Sequence, residues 1–217
     1  MLSRNLYKPP IDIFNKKIHT DKIDKIQSGD NLLLNGSWLI WKHNNTNNDW
    51  SIDSYEKIYK INSIGTFWRF FNNFNYLDKI NYQYFIMREG IMPIWEDINN
   101  KYGGICSIKI DYFNNKNRNE LGSEIMICIC LLLLNETLII NNEKLNGISY
   151  AVKNRSILIK LWINNFSENN LVELLPINFL KKIDNVIKYM EILGYKNSYK
   201  PNNVSVQYKK IMCNENE

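Results

Sequence analysis

The chain has 217 residues, of which 45% are hydrophobic and 23% charged. That is enough apolar material for one sizeable core, and it excludes a disordered chain. A net charge of +5 permits a polyanionic partner, but it is slight for a protein that coats nucleic acid.

Residues 1–30 are polar and basic, interrupted by Pro9 and Pro10, and are expected to form a tail or loosely docked arm. No signal peptide is apparent there. Residues 31–217 then read as one domain. A strand is predicted over 36–41. The run His43 to Asp49 is an asparagine-rich loop that ends at Trp50. Ser63 can cap a helix whose apolar positions, Ile64, Phe67, Trp68, Phe71 and Phe74, recur at helical spacing. A short strand over 84–87 leads into a loop punctuated by Gly90 and Pro93. Another strand runs from Gly103-Gly104 to Ile110, and a polar loop covers 114–119. A helix is expected over 120–134. Its apolar run, 125–134, is too short to span a bilayer and reads as buried. Strands over 147–153 and 157–162 flank a tight turn at 154–156, a weak hairpin signal. Pro176 opens a third helix that stops at Gly194, and 204–208 is a last strand. The order implies an α+β fold, an antiparallel sheet with helices on one face, whose other face can stay free for a ligand.

Catalytic and metal signatures are nearly absent. There is no GxSxG, P-loop, GxGxxG or HExxH motif. Glu96-Asp97 could serve as an acid/base pair, but adjacent carboxylates are common in exposed loops. Cys106, Cys128, Cys130 and Cys213 form no CxxC pair, and His19 and His43 are the only histidines. Reduced thiols in a cytosolic protein are expected, with no metal and no cofactor.

Two tryptophans stand in loops. Trp50 ends the asparagine run, and Trp95 sits in the Gly/Pro loop beside Glu96. An indole in such a place either fills a local structural gap or faces a flat ligand. As a pair they could sandwich a nucleobase, at about 1–3 kcal/mol per stacking contact. A carboxylate beside them accepts two hydrogen bonds at once, which suits guanine N1–H and its N2 amino group. Positive charge on the base, as in 7-methylguanosine, would strengthen both contacts. Lys153 and Arg155, in the hairpin turn, are candidates for the attached phosphates or simply solvated turn residues. Trp68, at the edge of an apolar helix face, is a candidate anchor for a partner peptide.

These residues, in order, resemble the eukaryotic translation initiation factor 4E family of mRNA cap-binding proteins. The resemblance runs from about Gly36 to Tyr208 and is carried by Trp38-Leu-Ile-Trp41, Asp49-Trp50 and Thr66-Phe-Trp-Arg-Phe-Phe-Asn72. Its most specific piece is Phe85-Ile-Met-Arg-Glu-Gly-Ile-Met-Pro-Ile-Trp-Glu-Asp97, followed by Lys101-Tyr-Gly-Gly104. It implies a curved antiparallel sheet of about eight strands, backed on its convex face by three helices. It implies that Trp50 and Trp95 sandwich the methylated base, that Glu96 and the Trp95 backbone N–H read its edge, and that Lys153 and Arg155 hold phosphates. On the opposite face Trp68, Ile64, Ile127 and Leu131 would receive a factor 4G-like scaffold or a repressor carrying a Tyr-x(4)-Leu-apolar motif.

The expected function is therefore a cytoplasmic one: binding the cap of mRNA and recruiting it for translation initiation, with no catalytic step. The alternative is a cap-binding repressor that fails to recruit the scaffold. The sequence departs from the family at Ile105-Cys106, where Arg-Trp is usual, and at Leu158, a basic position. Lys109 and Lys160 lie near these losses, and His43 stands where the family often has an aromatic beneath the slot.

Overall fold

The computed structural model describes residues 32–111, 123–139, 145–153, 156–164 and 204–210. The expected arm at 1–30, the loop at 114–119, the third helix at 176–193 and Cys213 lie outside the described residues. The elements are β1 (Leu33–Asn44), β2 (Tyr55–Ser63), α1 (Ile64–Phe71), β3 (Tyr82–Arg88), β4 (Gly104–Asp111), α2 (Ser123–Leu134), β5 (Leu145–Val152), β6 (Ser156–Ile163) and β7 (Val204–Lys210). The strands form one open sheet in the order β2-β1-β3-β5-β6-β4-β7. Every neighbouring pair is antiparallel. Against an expectation of about eight strands and three helices, seven strands and two α-helices are described.

The sequence reading contained no strand at β2, and the register explains why. Ile40 pairs with Tyr59 but Trp41 pairs with Lys57, so Ile58 is an inserted residue. Ile58 and Tyr59, adjacent in sequence, both pack against the core. This bulge breaks the two-residue alternation by which strands are recognised.

Ser63 caps α1 as expected, and Thr66 completes a reciprocal pair. Thr66 N–H donates to Ser63 Oγ (3.1 Å), and Ser63 N–H donates to Thr66 Oγ1 (2.9 Å). The helix ends at Phe71, one turn earlier than its apolar spacing predicts. The Asn73 side chain bonds back to Arg69 O (2.7 Å), and Phe74 enters the core from a separate 3-10 turn. The chain thus keeps the aromatic and loses the helix.

Alternation along the strands gives the sheet two different faces. Ile40, Ile86, Tyr150 and Ile159 point to the side covered by Phe67, Phe70 and Phe71 of α1 and the apolar run of α2. Helix α2 is apolar nearly all round and buried along most of its described length, as such a composition requires. Cys106, Cys128 and Cys130 are sealed on this side; burial pushes the Cys106 thiol up to about 12 and the Cys130 thiol well above its usual range. Phe85, Met87, Ile105 and Trp162 project the other way and form a smaller apolar floor with Trp41, Tyr55 and Ile91. Gly147 lets β5 run close against β3, since a Cβ there would collide with Ile86 O and the Met87 sulfur.

Candidate functional site

Two loops stand at the floor that the described helices leave uncovered. The first follows β1 and is built by its own asparagines. Asn44 Oδ1 accepts from Thr46 N–H (2.9 Å), Asn47 Oδ1 from Asp49 N–H (2.9 Å) and Asp49 Oδ1 from Ser51 N–H (2.8 Å). Each Asn or Asp thus closes a turn two residues on, which is why this polar run folds into a compact arch. The Ser51 N–H holds the Asp49 carboxyl below the usual carboxylate range.

The arch presents Trp50, which is 53% exposed. One face of its indole lies on the His43 ring at 4.4 Å between centroids and 14° between planes. His43 was expected in the loop, but it is the penultimate residue of β1 and is buried. Its Nε2 lies 2.7 Å from Asp49 O, and the Gln83 amide nitrogen lies 3.4 Å from Nδ1. Tyr55 tilts against the same imidazole (4.7 Å) and meets Phe85 edge-on (5.3 Å).

The second loop joins β3 to β4. Gly90 turns it at a φ of +91°, a left-handed value. Asp97 then gathers the chain: its carboxylate accepts from Met92 N–H (2.9 Å) and Asn99 N–H (2.8 Å). Asn100, buried, donates through Nδ2 to Met92 O and Ile94 O, both at 2.8 Å. Asn146, buried at the start of β5, donates to Asn99 O (2.6 Å) and Asn100 Oδ1 (2.9 Å). A chain of amides therefore ties the loop to the sheet. Trp95, 47% exposed, and the exposed Glu96 are carried between these anchors.

The loops converge electrostatically on Tyr55. Burial keeps its hydroxyl protonated well above the usual range, and the charges of Glu96 and Asp49, one from each loop, push the same way. Beneath them Trp162 Nε1 donates to Ser149 Oγ (3.3 Å), while the buried indole nitrogen of Trp41 has no hydrogen-bond partner among the described residues.

Beyond the floor the same face carries lysines. Lys109 pairs with Leu158, and Lys160 with Ser107 and Ser149. Alternation puts both on the Trp162 side, with Lys109 exposed and Lys160 half-buried. Lys153 is exposed at the end of β5, its N–H bonded to Ser156 O (2.8 Å). Arg155 lies outside the described residues.

The proposed partner residues are on the other side. Ile64, 38% exposed, opens α1. Trp68 is half-buried, its ring edge-on to Phe67 at 4.9 Å. Leu131 is half-buried on α2, but Ile127 is buried, so the described chain does not offer it to solvent.

The sequence reading missed Asn100, Asn146 and Tyr55. An unusual residue type signals itself by contrast, and in an asparagine-rich chain two structural asparagines have none.

The family model for eukaryotic initiation factor 4E matches residues 33–215. A curated relative, initiation factor 4E-3 of Caenorhabditis elegans, is 21% identical over 141 residues, 64% of this chain and 56% of that protein. Initiation factor 4E-1 of Schizosaccharomyces pombe is 28% identical over 153 residues, 68% of this chain and 67% of that protein. The chain therefore spans little more than half the length of the nematode relative. Among solved structures, Caenorhabditis elegans initiation factor 4E-3 in complex with the 4E-binding protein Mextli superposes with a TM-score of 0.58 at 19% identity, covering 82% of this chain and 93% of that one. Ascaris suum initiation factor 4E-3 in complex with the m7G cap gives a TM-score of 0.58 at 18% identity, covering 86% and 94%. At this identity the structural likeness speaks to the fold.

Proposed function

Since the chain belongs to the eukaryotic initiation factor 4E family, we propose that its uncovered face binds the 7-methylguanosine cap of mRNA, and that a scaffold protein on the opposite face then recruits the message for translation initiation. The supporting observation is the pair of half-exposed indoles, Trp50 and Trp95, on two loops whose charges meet at Tyr55. The methylated base stacks between them. Glu96 accepts from guanine N1–H and the N2 amino group, a pair of donors that adenine lacks on that edge, and the Trp95 backbone N–H donates to O6. The positive charge that N7 methylation creates is attracted by both π faces and by the carboxylate.

The phosphates continue toward Lys153 and Arg155. Lys109 and Lys160 extend that positive surface across β4 and β6, and Lys109 stands directly opposite Leu158, so charge absent from one strand is supplied by its neighbour. On the helix side Trp68 and Ile64, with Leu131, receive a Tyr-x(4)-Leu-apolar peptide. The protein binds and releases capped RNA in the cytoplasm without altering it.

Calorimetric titration with a methylated cap dinucleotide and its unmethylated twin tests the binding. The methylated form should be preferred at least tenfold, about 1.4 kcal/mol; equal affinities would refute it. The burial of Ile127 trims the docking surface and favours, as a second reading, a cap-binding repressor that does not recruit a scaffold. A Tyr-x(4)-Leu-apolar peptide that binds the wild type and is lost on Trp68→Ala supports recruitment; no binding supports the repressor.

A further inference from the structure

The Trp50 indole is a middle layer. His43 covers one side in near-parallel contact, and enough of the ring remains exposed to take a base on the other. The partner beneath it is titratable, and imidazole is the side chain whose charge changes between about pH 5 and 8. We propose that His43 makes the grip on the cationic base acid-sensitive, because a protonated imidazole behind Trp50 places a second positive charge across the same π system. This rests on the cap-binding function proposed above.

The hydrogen bonds accommodate both states. Nε2 faces a carbonyl, Asp49 O, so it carries the proton in the neutral ring and keeps it in the charged one. Nδ1 faces the Gln83 amide, which can present its nitrogen to a bare Nδ1 or turn its oxygen to a protonated one. Titratable and charged groups surround the ring. Asp49, in the adjoining arch, is within electrostatic reach of the imidazole. From β2 the neighbour is Tyr55, neutral at these pH values, with Glu96 beyond it; from β3 it is the uncharged Gln83.

The consequence for the ligand depends on its charge. With the imidazole 4.4 Å below the indole and a base stacked about 4 Å above it, the two cations sit about 8 Å apart. Repulsion at that range weakens binding of the methylated base by about fivefold. An unmethylated guanine is neutral and feels little of it. Acid should therefore erode the methyl discrimination itself. By linkage, bound cap must make His43 harder to protonate by the same factor.

The test titrates the full chain with methylated and unmethylated cap dinucleotides at pH 7.5 and 5.5. The expected result is a methylated-to-unmethylated affinity ratio that, relative to its value at pH 7.5, is about fivefold smaller at pH 5.5 in the wild type than in His43→Phe, which keeps the stack but not the charge. The same pH dependence of the ratio in both, with good binding of methylated cap at pH 7.5, overturns the role of His43 and leaves cap binding standing. No binding at pH 7.5 overturns both. Should His43→Phe not fold, proton NMR of the wild type decides. The chain has two histidines, and the C2-proton resonance of His43 should titrate at lower pH with methylated cap than without it. Coincident titration curves refute the proposal.

Discussion

Single side chains divide the binding between chemistry and placement. Trp95→Ala should remove most cap affinity, since one of two stacking surfaces goes with it, at about 1–3 kcal/mol for the stack alone. Glu96→Ala should weaken binding and also blunt the rejection of adenine, since the proposed reading of the base edge rests on its carboxylate. Titrations with methylated guanine and adenine nucleotides separate the two effects, and unchanged selectivity in Glu96→Ala would contradict the assigned role. Both residues stand out in the sequence as candidates, an indole amid glycine and proline beside an acid. The resemblance also set His43 beneath the slot, but not as part of a strand. Its chain neighbours are polar loop formers, and only the fold reveals that β1 continues through it and buries it under Trp50.

At the scale of elements, the loop that carries Trp95 is folded by its own turns and tied to the sheet through Asn146 of β5. Asn146→Ala would leave Asn99 O and Asn100 Oδ1 without their buried donor, at about 1–3 kcal/mol. Hydrogen exchange should show faster opening in 91–102 than in β6, with weaker cap binding; uniform destabilisation of the whole sheet would argue against a local clasp. Strands that alternate cleanly were readable in advance, as was the Ser63 cap. β2 was hidden by its bulge, and α1 was extended by one turn because Phe74 falls in helical phase although it packs from outside the helix. Periodicity reports which side chains are buried, and two backbone routes can bury the same one.

For the molecule as a whole, α1 and α2 cover one face of the sheet, and Lys109 and Lys160 lie on the other. The double variant Lys109→Ala with Lys160→Ala should weaken binding of a methylated guanosine triphosphate more than that of the monophosphate, and should flatten the dependence of affinity on salt. Equal losses for both nucleotides would remove these lysines from the phosphate path. The opposite face sets a different limit. Cys106 releases its proton only near about 12 in the folded chain, against 9.0 for an ordinary thiol, so the unfolded chain holds fewer protons between those values and stability must decline as pH rises through them. The same three sulfurs can serve as an opening gauge. In a Cys213→Ser background, alkylation at pH 8 should proceed only through excursions that part the helices from the sheet, and saturating nucleotide on the far side should slow the reaction, because a ligand that favours the closed state makes those excursions rarer. The timing of a covalent label would then register occupancy of the proposed cap site, which the label never touches.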